Sequence, residues 1–279
     1  MPLISIVTPS FNQGHYLECA IRSVLLQNYP NLEYIVIDGN SKDGSVDIIK
    51  KYEKWITYWA SESDEGQSDA LLKGFNRATG TIFGWLCSDD YYQPGALWKI
   101  AKLYNDHPEA VAWAGMTTFV EVRTGFRRSI PLLYNGENRS EEPIDLFARV
   151  PQPSCLFSAS AYENVGRLNK RLHYTMDPDL YFRLSRVGDF VAISEEIAIA
   201  RNYKTNKSSS DVEMRVVELI ANYWNLGYPQ LARQSLVKFL EKGLPLRYVF
   251  TRVLKISLIR SILRFVSLFK KLVKGDDLT

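Results

Sequence analysis

The sequence has few histidines and cysteines and contains no long uninterrupted apolar run. Its 279 residues include three histidines and three cysteines, Cys19, Cys87 and Cys155. The cysteines are odd in number and lack metal-type spacing, so we expect reduced thiols in a cytoplasmic protein. The apolar run after Met1 is too short for a signal peptide. No uncharged apolar stretch of about 18 residues occurs, so we expect no membrane-spanning helix.

Two common nucleotide-binding motifs are also missing. The loop after the first apolar run lacks Gly-x-Gly-x-x-Gly, which argues against a dinucleotide-binding dehydrogenase. It also lacks the Gly-x-x-x-x-Gly-Lys-Ser/Thr of a phosphate-binding-loop ATPase. Enzymes that make nucleotide sugars usually resemble Gly-x-Gly-Thr/Ser-Arg here, whereas residues 8–12 read TPSFN. The chain therefore departs from all three classes.

The first half alternates short apolar runs with helical patterns. The length and a hydrophobic content of 46% allow a full core. The predicted strands cover residues 3–8, 32–37, 55–60, 81–87 and, later, 111–116. The predicted helices between the first four strands cover residues 15–27, 46–54 and 67–78. This order predicts an α/β fold with a mostly parallel, doubly wound sheet flanked by helices.

Acidic residues follow three of these strands. They are Asp38, Asp64 and the adjacent pair Asp89 and Asp90. Ligands of open α/β sheets bind at the carboxyl ends of the strands, and paired carboxylates there suit Mg²⁺ or Mn²⁺. Each acid alone is also explained as a turn-forming or helix-capping residue. Their recurrence at three strand ends favours a binding site.

Four segments together resemble family 2 glycosyltransferases of the GT-A fold. They are TPSFN at residues 8–12, DGNSKDGS at 38–45, SESDEG at 61–66 followed by Asp69, and SDD at 88–90. The resemblance covers roughly residues 3–210. It implies an inverting transferase that uses a nucleotide diphosphate sugar, commonly a UDP-sugar, together with Mn²⁺ or Mg²⁺.

The resemblance also implies roles for individual residues. Asp90 is expected to reach the metal, with Asp89 supporting the ribose or a metal-bound water. We expect the donor to contact the four segments and a later basic loop, through Thr8, Pro9, Ser10, Asn12, Asp38, Asp64, Asp69, Asp89, Arg201 and Lys204. Gln152 is expected either to line the donor-sugar pocket or to be an exposed loop amide.

The expected catalytic base lies in YTMDPDLYFRL at residues 174–184. This segment is similar to the acidic segment of the family, and Asp177 aligns with the general base. Asp179 is the second candidate, and it is also suited to cap the following helix and to pair with Arg183. Pro178 replaces the more usual aromatic residue of the family.

RNYKTNKS at residues 201–208 resembles another segment of the family, in which Tyr203 replaces the usual histidine. Arg201, Lys204 and Lys207 are suited to pair with phosphates. A solvated basic loop would have the same composition. The replacement at Tyr203 leaves open what contact this position makes with the metal or the diphosphate.

The pattern from residue 211 to 279 predicts a helical C-terminal extension, with helices at 212–224 and 230–242. Residues 243–274 carry eight basic residues and no acid. Within them, residues 258–274 place apolar and basic side chains on opposite helix faces, which is typical of a helix lying on an anionic bilayer. Packing on its own domain or on a second subunit is the alternative. The charged face lacks interleaved aromatics, which argues against nucleic-acid binding.

These features favour an inverting glycosyltransferase acting on a hydroxyl of a saccharide or lipid-linked acceptor. Assembly of bacterial envelope polysaccharide is what the resemblance implies. We expect a cytoplasmic protein, and a tail that binds a bilayer would place it on the cytoplasmic face of the inner membrane. The alternative is a catalytically silent GT-A-like subunit that binds nucleotide or assembles with partners, including copies of itself. The presence of Asp38, Asp64, Asp90 and Asp177 favours the active enzyme.

Overall fold

The computed structural model describes residues 1–130, 150–207 and 211–241. Contacts within the chain define two compact units. The first comprises residues 1–170 and 176–204, and the second comprises residues 171–175 and the chain from residue 205 onward. The short segment 171–175 thus groups with the C-terminal helices, although it lies between two parts of the first unit in sequence.

Four parallel strands form one half of the sheet in the first unit. They are β1 (Ile4–Ser10), β2 (Leu32–Asp38), β3 (Tyr58–Ser61) and β4 (Ile82–Trp85), in the spatial order β3-β2-β1-β4. All residues of β1 are buried, because the strand lies inside the sheet and is covered on both faces. The predicted α/β fold class is confirmed.

Helices connect these strands as the sequence pattern predicts. They are α1 (Gly14–Leu25), α2 (Ser45–Tyr52) and α3 (Gln67–Phe75). The third strand begins later than predicted, at Tyr58, because a turn of 3-10 helix occupies Glu53–Trp55. Trp55 is exposed in this turn. Tryptophan is common in strands, but Trp55 is not part of one.

The other half of the sheet is mixed in direction. It contains β5 (Tyr91–Tyr92), β6 (Ala112–Glu121), β7 (Arg127–Ile130), β8 (Cys155–Ser158) and β9 (Phe190–Asn202). Strand β8 runs antiparallel between β4 and β6, while β6 and β9 are parallel. Strand β5 pairs antiparallel with the last third of β9. This pairing brings the end of β9 beside the residues that precede β5.

The described part of the first unit contains three further helices, α4 (Ala96–Asp106), α5 (Ala159–Asn164) and α6 (Met176–Ser185). The core lies on both faces of the sheet. One face contains aliphatic residues of β1, α1 and α4. The other holds an aromatic cluster formed by Phe75, Phe83, Trp85, Phe157 and Tyr162. Such rings gain from edge-to-face packing in addition to burial.

Helix α3 packs closely on β1 because it has a glycine at the contact. A side-chain carbon built on Gly74 would lie 2.4 Å from Cγ1 of Val7. Only a residue without a side chain therefore allows this separation between helix and strand. This close contact between α3 and β1 fixes the position of Gln67, the first residue of α3, relative to the carboxyl end of the sheet.

The second unit contains α7 (Val212–Asn225) and α8 (Pro229–Glu241). Asp211 caps α7 by accepting a hydrogen bond of 3.0 Å from the backbone nitrogen of Met214. These helices confirm the predicted helices at 212–224 and 230–242. The predicted amphipathic helix at 258–274 and the basic stretch 243–274 lie outside the described residues. Within the described ranges, no helix is both long enough and apolar enough to cross a bilayer.

Candidate functional site

The acidic pair lies in a tight turn between β4 and β5. The backbone nitrogen of Asp90 donates to the carbonyl of Cys87 at 3.0 Å, which closes the turn. Asp90 is buried, with 7% of its surface exposed, whereas Asp89 is partly exposed. The two carboxylates therefore face different environments although they are adjacent in sequence.

The environment of Asp90 disfavours its ionised form. Burial and the neighbouring charge of Asp89 raise its pKa well above the usual range, and Arg201 opposes this only in part. Ligand atoms of Cys87, Asp89 and Asp90 all lie within 4.8 Å of one another. A divalent cation would relieve the repulsion between the acids, and carboxylate oxygens suit Mg²⁺ or Mn²⁺. The residues present thus fit the cation that the sequence predicted.

The end of β9 holds the backbone of this turn. The backbone nitrogen of Arg201 donates to Oδ1 of Asp90 at 3.2 Å, and its guanidinium donates to the carbonyl of Asp89 at 2.6 Å. The guanidinium also lies over the rings of Tyr16 and Tyr91, at 5.1 and 4.6 Å from their centroids. Arg201, which was predicted to pair with phosphate, thus holds the backbone of the acidic turn. Lys204 is exposed.

Tyr203 makes a direct contact with the acidic pair. Its hydroxyl donates to Oδ2 of Asp89 at 2.8 Å and accepts from the side-chain amide of Gln13 at 2.9 Å. Ser88 in turn donates to the side-chain carbonyl of Gln13. Burial and the charge of Asp89 raise the pKa of Tyr203, which keeps the phenol protonated as a donor. Gln13 was not among the predicted site residues, although it directly follows the TPSFN segment.

Asp38 lies at the predicted sheet edge, but its oxygens are used within the protein. Oδ1 accepts from the Ser41 hydroxyl at 2.5 Å, and Oδ2 accepts from the backbone nitrogen of Ser41 at 2.9 Å and the hydroxyl of Ser61 at 2.7 Å. The residue is completely buried. Asp38 thus ties the loop after β2 to the end of β3.

Asn12 likewise connects two loops. It adopts a positive φ of 51°, which Asn tolerates better than most residues. Its backbone nitrogen donates to the Ser41 hydroxyl at 2.8 Å, and its side-chain oxygen accepts from the backbone nitrogen of Lys42 at 2.9 Å. The loops after β1 and β2 are therefore held together before any ligand binds.

The remaining residues of the first segment are buried at the end of β1. The hydroxyl of Thr8 accepts from the Tyr34 hydroxyl at 3.1 Å. Pro9 is buried beside it, and the buried hydroxyl of Ser10 has no hydrogen-bond partner among the described residues. These three residues shape the carboxyl end of β1.

The loop after β3 meets the loops after β1 and β2. A side-chain carbon built on Gly39 would lie 2.7 Å from Oδ2 of Asp64 and 3.1 Å from the ring of Phe11. Oδ1 of Asp64 accepts from the backbone nitrogen of Gly66 at 2.8 Å. Phe11 is 61% exposed. An exposed ring and a carboxylate thus flank a glycine at the edge of the sheet.

Asp69 lies in the first turn of α3 and is engaged locally. Oδ2 accepts from the backbone nitrogen of Glu65 at 3.2 Å. Its carboxylate also lies 3.7 Å from the amino groups of Lys73 and Lys170. Asp69 therefore stabilises the acidic loop before α3.

Two glutamines contact the thiol of Cys87 beside the acidic pair. The amide nitrogen of Gln67 donates to the sulfur at 3.1 Å, and the thiol donates to the side-chain oxygen of Gln152 at 3.7 Å. Gln152 also donates to the carbonyl of Trp85 at 2.8 Å. Gln152 is therefore at the site rather than in a remote loop. Gln67 was not among the predicted site residues. Its position beside Cys87 is evident only from the placement of α3.

The structure separates the two acids of α6. Asp179 is buried, and its Oδ2 accepts from the Arg183 guanidinium at 2.6 and 3.0 Å. Arg183 also donates to the carbonyls of Val165 and Arg167. Asp177 is only partly buried. Asp179 thus pairs with Arg183, which was the alternative role that the sequence predicted for it.

Asp177 is electrostatically linked to the site through Tyr181. Burial raises the pKa of Tyr181, and the charges of Cys155 and Asp177 raise it further. The Tyr181 hydroxyl lies 3.5 Å from the carbonyl of Gln152, whose side chain reaches Cys87. The charge of Asp177 thus acts on a tyrosine whose hydroxyl contacts Gln152.

Comparisons with known proteins agree with this geometry. The model of Glycosyl transferase family 2 matches residues 5–166, which is more than half of the chain. An uncharacterized glycosyltransferase of Rickettsia felis is 28% identical over 244 residues, covering 85% of this chain. This chain spans only 40% of the length of that relative. TuaG of Bacillus subtilis, named for teichuronic acid biosynthesis, is 33% identical over 125 residues, covering 43% of this chain and 49% of TuaG.

Two solved structures share the fold. S. aureus TarS in complex with UDP-GlcNAc has a TM-score of 0.65 at 17% identity, covering 85% of this chain and 71% of TarS. The mannosyltransferase PcManGT of Pyrobaculum calidifontis, in complex with GDP-Man and Mn²⁺, has a TM-score of 0.60 at 14% identity, covering 97% and 81%. With the family match and the acidic turn at the sheet edge, the chain belongs to glycosyl transferase family 2.

Proposed function

We propose that this chain is an inverting glycosyltransferase that moves a sugar from a nucleoside diphosphate donor to a hydroxyl group. The observation that carries the proposal is the pair Asp89 and Asp90, placed at the carboxyl edge of the sheet with one acid buried. The repulsion between two acids held this close would be relieved by a bound cation, which supports a metal site here. Family membership supports the same reaction class.

Asp90 and Asp89 are proposed to hold Mn²⁺ or Mg²⁺. A bound cation supplies charge stabilisation for the departing diphosphate. Arg201 and Tyr203 keep the two acids in place through the bonds described above. The Mn²⁺ bound in PcManGT, which shares the fold, supports this assignment.

The donor nucleoside is proposed to lie against the three loops that meet at Gly39. Phe11 offers an exposed ring and Asp64 a carboxylate there. Asp38 and Asn12 act on the donor indirectly, because their side chains fix the loops. We propose a UDP-sugar as donor, and the UDP-GlcNAc bound to TarS supports this choice.

Asp177 is proposed as the general base. It takes the proton of the acceptor hydroxyl while the oxygen bonds to the anomeric carbon and the nucleoside diphosphate leaves with the electrons of the broken bond. One displacement of this kind inverts the anomeric configuration. General base catalysis contributes typically about 10²–10⁴-fold. Two nitrogens of the Arg183 guanidinium donate to Oδ2 of Asp179, and this structural pairing supports Asp177 over Asp179.

The acceptor is proposed to be a saccharide or a lipid-linked hydroxyl in envelope polysaccharide assembly. The likeness to TuaG supports this process. Residues 211–279 are proposed as a helical extension whose basic segment at 258–274 binds the cytoplasmic face of an anionic membrane. Such binding would hold the enzyme near a lipid-linked acceptor.

A thermal-shift panel tests the proposal directly. UDP, GDP, dTDP and CMP are each added with and without Mn²⁺ to the wild type, to Asp90→Asn and to the control Asp106→Asn. A ligand at about 100 times its Kd adds roughly 2.7 kcal/mol of stability. We expect Mn²⁺-dependent stabilisation by UDP in the wild type and the control, and its loss in Asp90→Asn.

The outcomes separate the alternatives. Absence of stabilisation by every nucleotide would contradict nucleotide-sugar binding. Stabilisation by UDP without sugar transfer to any hydroxyl acceptor would point to the silent subunit. Stabilisation by GDP rather than UDP would still support a transferase, but one whose donor is a GDP-sugar.

A further inference from the structure

A buried carboxylate in the second unit holds the chain segment that leads into α6. Glu218 lies on α7 and is completely buried. Its Oε2 accepts from the backbone nitrogen of His173 at 2.8 Å, and its Oε1 accepts from those of Tyr174 at 2.6 Å and Thr175 at 2.7 Å. The Thr175 hydroxyl also donates to Oε1 at 2.9 Å.

These bonds account for the burial of a charged group. An unpaired carboxylate removed from water is strongly destabilising, whereas one that accepts several hydrogen bonds is tolerated. Three successive backbone donors and one hydroxyl share the two oxygens of Glu218. They fix the backbone of residues 173–175, a segment that has no regular secondary structure to hold it.

The segment ends where α6 begins. Met176 is the first residue of α6, and Asp177 follows it. Asp177 lies two positions after Thr175, a span of at most about 7 Å of chain. The backbone nitrogens in the first turn of a helix lack intrahelical partners, so this turn is held in part by the residues that precede it. Fixing the backbone at 173–175 therefore restrains the start of α6, where Asp177 lies.

We infer that Glu218 is a positioning residue for Asp177. It touches neither substrate nor reacting atoms, and it acts by holding residues 173–175 so that the base is presented correctly. This inference rests on the proposed role of Asp177. A misplacement of about 1 Å at a reacting group can lower turnover about 10²-fold. The C-terminal helices thereby contribute to turnover and not only to bulk stability.

Substitutions of Glu218 in the full-length protein test the inference. Glu218→Gln keeps the carbonyl oxygen that accepts three of the four bonds but turns an amide toward the His173 donor, and Glu218→Ala removes all four. Glu213→Gln is the matched control, since it makes the same charge change at an exposed position of α7. Thr175→Val removes one donor only and serves if Glu218→Ala does not fold.

Three quantities are measured well below the unfolding temperature of each variant. They are the kcat of sugar transfer, the affinity for UDP with Mn²⁺, and hydrogen exchange of the peptide that contains residues 173–175. We expect kcat to fall about 10²-fold in Glu218→Ala, less in Glu218→Gln and Thr175→Val, and not in Glu213→Gln. Nucleotide affinity should change less than twofold, while exchange at 173–175 becomes faster.

Two results would overturn the inference. One is a kcat within twofold of the wild type in Glu218→Ala despite faster exchange at 173–175. The other is a loss of nucleotide affinity in step with kcat, which would indicate general structural damage. A wild type that transfers no sugar would instead refute the proposed function, so the two failures are distinguishable.

Discussion

The hydroxyl of Tyr203 lies 2.8 Å from Oδ2 of Asp89 and so joins the end of β9 to the acidic turn after β4. The two residues are 114 positions apart in sequence. Because the phenol also accepts from Gln13, its proton is directed at the carboxylate. Tyr203 thus holds the carboxylate of Asp89 through a direct hydrogen bond.

Replacing Tyr203 should weaken metal-dependent nucleotide binding. Tyr203→Phe removes a hydrogen bond to a charged group, which contributes about 1.5–3 kcal/mol. We expect the affinity for UDP with Mn²⁺, measured by calorimetry, to fall roughly 10- to 100-fold. Tyr203→His keeps a ring donor and should lose less. Equal affinity in Tyr203→Phe and wild type would show that Asp89 does not need this contact.

Replacing Arg201 should destabilise the fold as well as the site. Arg201→Lys cannot keep both the bond to the carbonyl of Asp89 and the stacking on Tyr16 and Tyr91. We expect a loss of about 1–2 kcal/mol in the free energy of unfolding, measured by urea denaturation. Arg128→Lys, at an exposed position of β7, is the control and should be neutral. An unchanged stability in Arg201→Lys would refute the bracing role.

Stability without metal should depend on the proton of Asp90. Its pKa is raised by burial and by Asp89, so the folded state binds this proton more tightly than the unfolded state does. The resulting stability is fully present below the unfolded pKa of about 4. It is lost as the pH rises through the higher folded value.

With a chelator present, we therefore expect the Tm to fall as the pH rises above about 4 toward neutrality. Asp90→Asn should be less pH-dependent and more stable than the wild type near neutral pH, while Asp106→Asn should retain the wild-type slope. The affinity for Mn²⁺ should rise over the same range, because metal and proton compete. Parallel Tm curves for wild type and Asp90→Asn would contradict the raised pKa.

The sequence was sufficient to place acids at the carboxyl edge of the sheet, because apolar runs that end in Asp38 and in Asp89 mark buried strand ends. It could not show that Asp38 accepts three hydrogen bonds from Ser41 and Ser61. That depends on the register that places Asp38 opposite Ser61. A family segment therefore identifies a carboxylate but does not show whether that carboxylate binds the ligand or only holds the loop.

Contacts between distant segments were the other part that the sequence could not reveal. Strand β5 has only two residues, too few for any periodicity, yet its pairing with β9 brings Arg201 and Tyr203 to the acidic turn. Glu218 lies 43 residues beyond Thr175, in a helix whose pattern indicates only an amphipathic face. Such contacts follow from topology, which local propensity does not determine.

The thiol of Cys87 should report ligand binding. It is partly exposed and lies between Gln67 and Gln152 beside the acidic pair. We expect UDP with Mn²⁺ to slow its alkylation by iodoacetamide several-fold, measured by mass spectrometry of the modified peptide. Cys155 is buried and should stay unmodified while the protein is folded. Equal rates at Cys87 with and without saturating UDP would place the nucleotide elsewhere.

The two acids of α6 should give opposite mutant phenotypes. Asp177→Asn should lower kcat by at least about 10²-fold with little change in Tm, because a general base is removed from a partly exposed position. Asp179→Ala leaves the partly buried Arg183 guanidinium without its carboxylate, and breaking a fully buried pair costs about 3–5 kcal/mol, which sets the upper limit here. The Tm of Asp179→Ala should therefore fall. Any folded fraction still contains Asp177 and should retain turnover. Turnover by Asp177→Asn at the wild-type rate, combined with loss of turnover in folded Asp179→Asn, would contradict this assignment. Asp179 would then be the general base and Asp177 would not.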